Sequence, residues 1–196
     1  MGGVKRLLDR EWTVPKVILD VAAASVSPRP AAVLVPLYVR DRELYTLLTK
    51  RTETVEHHKG QISFPGGAQE ESDPTLWDTA LRETQEEIGV PRRAVRYLGK
   101  LPGLVTVTDF AVTPFVAALP YPLAFRLAEG EVEAVLQVPI AALRLPGAVE
   151  QRTLTWKGRE VPTPVYHHEG QAIWGATAWI LSNLLGALAD GAGPQA

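Results

Sequence analysis

The sequence predicts an α/β fold, a mixed β-sheet held between helices, on three observations. Residues 31–39 are an almost unbroken apolar run, as expected of a strand buried on both faces. Residues 73–89 and 172–188 repeat apolar side chains at three- and four-residue spacing, so each reads as a helix with one buried stripe. Between and around these lie short extended segments bounded by turn residues. The 196 residues, 46 % hydrophobic and 21 % charged, suit one globular domain with a substantial core. A net charge of −2 gives no reason to expect nucleic acid as a partner. No apolar run is long enough to span a bilayer, and the first residues lack a secretory apolar region. The absence of cysteine excludes disulfides and thiolate chemistry and fits a cytoplasmic setting.

In chain order, residues 1–30 read as an extension packing on the domain. Within it residues 5–12 form a short amphipathic helix, and Ser27, Pro28, Arg29 and Pro30 form a linker. The domain proper is expected over residues 31–190, with 191–196 a flexible tail. Residues 31–39 and 44–49 pair as a hairpin at the sheet centre across the polar turn 40–43. Residues 52–59 are a polar loop holding His57 and His58. Adjacent side chains point different ways and no further nitrogen or sulfur ligand is near, so this pair reads as phosphate-contacting or solvated, not metal-binding. Further strands are expected at 62–64, 94–98 and 113–119, and a hairpin over 154–161 turns near Lys157 and Gly158. Residues 162–166 continue an extended path.

The stretch 60–90 concentrates the chemistry. Asp73 is expected as N-cap, Pro74 as the first helical residue and Gly89 as the residue past the end. Trp77, Ala80, Leu81, Thr84 and Ile88 make the buried stripe. Glu83, Glu86 and Glu87 fall at i, i+3 and i+4, so their carboxylates share an arc of about 100°. Such like charges repel, and a hard divalent cation would remove that cost. A solvated acidic face is the plain alternative. The preceding Gly66 and Gly67 tip the reading, because they let backbone approach a ligand closely, and Arg82 is placed to pair with an acidic neighbour.

Gly67 followed by Arg82, Glu83, Thr84, Gln85, Glu86, Glu87, Ile88, Gly89 and Val90 resembles the Nudix box. The resemblance implies a Nudix-type α/β/α sandwich that hydrolyses nucleoside diphosphates linked to another moiety, with Mg2+ or Mn2+ held by the helix. Asp73 stands six residues after Gly67 and eight residues then precede Arg82, so the loop is one residue longer than the box. That longer loop is similar to the coenzyme A pyrophosphatase branch. So is the upstream run from Leu47 to Arg51, followed by Gly60, Phe64, Pro65, Gly66 and Gly67. Leu98-Gly99, Thr113-Pro114 and Ile173-Trp174-Gly175 match further elements of the branch. Glu56 departs from it, standing where the branch carries arginine.

Carried onto this chain, the resemblance implies Glu83, Glu86, Glu87 and Glu70 as metal ligands. Glu83 or Glu86 would be the general base, with Arg82 fixing carboxylate geometry. The backbone of Gly66 and Gly67 would complete the inner shell or contact the diphosphate. Lys50, Arg51 and Lys59 would contact the 3'-phosphate of coenzyme A. Of Glu129, Glu131 and Glu133, one is expected to join the metal site, with no spacing rule to say which. The implied partner is a small molecule, with neither nucleic acid nor membrane, and a homodimer is compatible. ADP-ribose, another nucleoside diphosphate derivative, or a non-catalytic nucleotide-binding module of the same fold stay open as alternatives.

Overall fold

The apolar run becomes β1 (Arg29–Arg40), which turns into β2 (Glu43–Arg51) with Leu37 opposite Thr46 and Arg40 opposite Glu43. Asp41 and Arg42 both have positive φ, 50° and 67°, the two-residue turn whose twist suits an antiparallel hairpin. The structure, a computed structural model, describes residues 27–52, 60–156 and 159–190. The expected amphipathic helix at 5–12, His57, His58, Lys59, the turn at 157–158 and the tail lie outside those residues. Arg29 and Pro30, expected in a linker, instead begin β1, because Arg29 N–H donates to Asp109 O and Pro30 O accepts from Gln69 N–H.

Around this hairpin gather β3 (Ile62–Ser63), β4 (Gly66–Ala68), β5 (Arg96–Lys100), β6 (Leu104–Val105), β7 (Phe110–Ala118) and β8 (Val132–Pro139). The main path runs β3-β2-β1-β7-β5, with β4 also on β1, β6 on β7 and β8 on β2. The β1–β7 pairing is parallel and the others antiparallel, so the sheet is mixed as expected. A second sheet of β9 (Val149–Trp156), β10 (Arg159–His168) and β11 (Gln171–Ile173) stands apart in the pairing.

Among the described residues two helices cover the sheet, α1 (Leu76–Ile88) and α2 (Gly175–Asp190). Alternation along β1 separates their cores, since successive strand side chains face opposite ways. Val35 and Leu37, with Leu48, Val116 and Ala118, cluster with Ile180, Leu181 and Leu184 of α2. Ala32, Leu34 and Ala117 cluster with Ala80 of α1. Near the end of α1, Ile88 and Val90 meet Tyr38 and Leu47. The expected sandwich is therefore present, with β1 buried on both sides.

In the last third of the chain one boundary differs from the sequence reading. Residues 171–173 are spent in β11, turned back from β10 through Glu169 and Gly170 at φ 48° and 74°, so α2 starts only at Gly175. Residues 162–166 belong to β10, paired along their length with β9. Among the described residues, no helix is long and apolar enough to cross a membrane.

Candidate active site

Helix α1 begins two residues later than its sequence suggests. Thr75 is the N-cap, its Oγ1 accepting from Asp78 N–H at 3.2 Å, and Gly89 closes the helix at φ 73° with its N–H on Gln85 O. Asp73 does not cap, because its carboxylate is committed elsewhere. It accepts from Arg82 Nε at 3.1 Å, from Arg82 Nη2 at 3.0 Å and from Glu70 N–H at 3.1 Å. Its side chain is only 2 % exposed. The Arg82 hydrogen bonds hold the Asp73 carboxyl down at about 2, against the opposing effect of burial.

Arg82 is the hub of the site. Besides Asp73, its guanidinium donates to Glu86 Oε2 at 2.9 Å and to Ala68 O at 3.1 Å, and it pairs with Glu83 Oε1 at 3.0 Å and Glu70 Oε1 at 3.5 Å. One planar cation thus ties the glycine strand, the loop and two helix carboxylates together, a use suited to the fixed fork of arginine. Its side chain is 12 % exposed.

The three helix glutamates share an arc but not an environment. Glu86 faces solvent with its side chain 57 % exposed, whereas Glu87 is 5 % exposed and packs toward the sheet. Burial pushes the Glu87 carboxyl up to about 8, and the Glu83 and Glu131 charges add to the rise while Arg51 opposes it. Glu83 is also raised, first by burial and against the pull of Arg82, with Glu86 and Glu131 adding to it. Glu131 therefore lies within electrostatic reach of both inner carboxylates. It is the member of the 129, 131 and 133 group that the fold brings to the site. The chain had no local signal for this. The N–H of Thr52 donates to Glu131 O, so the placement comes from the junction between β2 and β8.

The glycines are required by close approach. A Cβ on Gly67 would stand 2.3 Å from Glu83 Oε1, and one on Gly66 would stand 2.3 Å from Ala32 O and 2.6 Å from Val33 Cα. β4 thus lies against both α1 and β1. Pairing of Thr49 with Ser63 and Lys50 with Ile62 brings the Leu47–Arg51 run beside the Phe64-Pro65-Gly66-Gly67 run. Lys50 Nζ pairs with Glu133 Oε1 at 2.8 Å, and Arg51 Nε is buried without a hydrogen-bond partner. Lys59 is outside the described residues.

A divalent ion suits these donors. Glu87 Oε2 is buried without a partner, the Glu83 and Glu131 charges raise the proton affinity of Glu87, and every donor is a hard oxygen. Among the described residues no three such side chains stand at ligating spacing, since Arg82 holds Glu83 and Glu86.

Comparison with known proteins agrees with this geometry. The NUDIX domain family matches residues 28–155. A protein of Cronobacter sakazakii named Uncharacterized Nudix hydrolase NudL is 41 % identical over 166 residues, covering 84 % of this chain and 85 % of its own. A Klebsiella pneumoniae protein of the same name is 40 % identical over 171 residues, 87 % of each chain. Among solved structures, a MutT/nudix family protein from Enterococcus faecalis superposes with a TM-score of 0.59 at 16 % identity, covering 95 % of this chain and 73 % of its own. A C. elegans Ap4A hydrolase gives 0.50 at 20 % identity, covering 58 % and 83 %. These two show likeness of fold. The chain belongs to the Nudix hydrolase family, whose members act on nucleoside diphosphate derivatives and generally use divalent metal ions.

Proposed function

We propose that this chain hydrolyses the diphosphate linkage of coenzyme A or its derivatives, giving adenosine 3',5'-bisphosphate and 4'-phosphopantetheine. The observation that carries this reading is the lengthened loop between Gly67 and Arg82, whose Asp73 is locked onto the Arg82 guanidinium. The loop residue that departs from the box is thereby a structural part of the site. The β2–β3 pairing also joins the two halves of the upstream signature beside the same helix.

Glu83, Glu86 and Glu87 would hold Mg2+ or Mn2+, with Glu70 and Glu131 at the margin. When bound, the ion supplies charge neutralisation at the diphosphate and a water acidic enough to attack at neutral pH. Glu83 or Glu86 would serve as the general base. Arg82, through its bonds to Asp73 and Ala68, fixes where those two carboxylates sit. Gly66 N–H is held by the Glu87 carboxyl and Gly67 pairs with Ala32, so β4 positions the carboxylate face rather than offering free N–H groups to the diphosphate, and Arg51 places positive charge beside Glu87.

The test is product analysis after incubation with Mg2+ and coenzyme A, ADP-ribose or a nucleoside triphosphate. Adenosine 3',5'-bisphosphate should appear faster than any other product. Intact coenzyme A beside cleaved ADP-ribose would overturn the substrate and favour a second reading, ADP-ribose or another nucleoside diphosphate derivative. Glu56 in place of arginine, and Lys50 already paired with Glu133, are what that reading rests on.

A further inference from the structure

At the far end of β1 from the glycine strand lies a second cleft, of about 120 Å³, lined by Tyr38, Arg40, Tyr121, Leu123, Phe125 and Gln137. Eight residues of strand separate Ala32, beside Gly67, from Arg40, so roughly 25 Å divides the two places. Three tyrosines form a column there. Tyr38 stacks on Tyr45 with ring centroids 5.4 Å apart and on Tyr121 with centroids 5.5 Å apart. Tyr38 is fixed in the middle, buried and donating its hydroxyl to Gln137 Oε1 at 2.7 Å. Tyr121 ends the column and is 47 % exposed, so part of its ring surface is available to another ring. Arg40 stands beside the column, its guanidinium carbon 5.8 Å from the Tyr45 centroid and 6.0 Å from the Tyr121 centroid. It also makes a 3.5 Å ion pair with the exposed Asp41.

The wall of the cleft continues to the catalytic carboxylates. Past Phe125, Arg126 N–H donates to Ile88 O and Ala128 N–H to Glu87 O, capping the last turn of α1. Three residues on stands Glu131, whose charge reaches Glu83 and Glu87. A ligand that shifts Tyr121 or Phe125 therefore acts on a backbone hydrogen-bonded to a catalytic glutamate.

We propose that this cleft binds a planar aromatic ligand carrying an anionic group, and that its occupancy is transmitted along residues 121–131 to the end of α1. The ring extends the column on Tyr121 and the anion meets Arg40. Rings held in a fixed column lose little freedom on binding, which favours a preformed site of this kind.

Phenyl phosphate, titrated into the full chain in a metal-free buffer, is the probe, because without a divalent ion the acidic face of α1 offers a dianion no cation to bind. Amide resonances of residues 121–125 should move saturably, together with those of Arg126 and Ala128, and phenol or inorganic phosphate alone should bind more weakly. Arg40→Gln and Tyr121→Ala, each verified as folded by its amide spectrum, should each weaken the probe about fivefold or more. Absence of saturable shifts, shifts confined to Gly66 and Gly67, shifts that stop at Phe125, or equal affinity in both variants would overturn the proposal.

Discussion

Replacing Asp73 by Asn keeps the shape of the loop and removes the charge that faces Arg82. Asp73 is 2 % exposed and Arg82 12 %, and two donors of the guanidinium end on this carboxylate. Removing one partner of such a buried pair costs about 3–5 kcal/mol, and the low end applies because Glu83 and Glu86 remain to Arg82. For a chain of this size, about 3 kcal/mol corresponds to a fall in melting temperature of roughly 6–12 °C at pH 7. The pH dependence follows from the depressed carboxyl. Its stabilisation is fully present above the ordinary value of 3.8 and is lost as pH falls through about 2. Wild type and Asp73→Asn should therefore melt far apart at pH 7 and draw together toward pH 2. Activity should fall by about 10- to 100-fold as Arg82 loses its anchor. A variant that melts within 1 °C of wild type at pH 7, roughly the scatter of such scans, would refute the role given to Asp73.

Glu87, raised to about 8, has the opposite sign: stability is greatest below the ordinary 4.5 and declines as pH rises through 8. Metal-free wild type should lose melting temperature between pH 5 and 9, and Glu87→Gln should flatten that slope while weakening the response to Mg2+. Gly67→Ala brings its Cβ against the movable end of Glu83 and should weaken divalent binding about tenfold with little loss of stability. Gly66→Ala meets backbone and should cost about 3 kcal/mol, so calorimetry and metal titration separate the two. Glu131→Gln should lower kcat about tenfold or more, and Glu129→Gln should not, as read by steady-state rates.

The helices and the central hairpin were legible because their signals are local. Period in residues 76–88 and the apolar run of β1 are set by neighbours in sequence. Asp73 was misread for the same reason. An aspartate followed by proline is a good local cap, but Arg82 is nine residues on and outbids the helix terminus. Glu131 shows the other limit, since it reaches Glu83 and Glu87 only through the β2–β8 pairing. The carboxylates at 83, 86 and 87 were correctly placed on one arc. Their division into exposed Glu86 and buried Glu87 depends on how α1 sits on the sheet. The β9–β10 hairpin was legible over 154–161 and in its continuation through 162–166, but β11 was missed because residues 171–173 lead straight into an apolar helical repeat.

The central claim is that the α1 carboxylates hold a divalent ion that the hydrolysis requires. The most direct measurement is Mn2+ titration followed by electron paramagnetic resonance, on wild type and on Glu83→Gln with its fold verified, alongside coenzyme A cleavage in the same samples. Wild type should bind Mn2+ and release adenosine 3',5'-bisphosphate, and Glu83→Gln should lose both. Unchanged Mn2+ binding in the variant, or undiminished turnover without any divalent ion, would contradict the account.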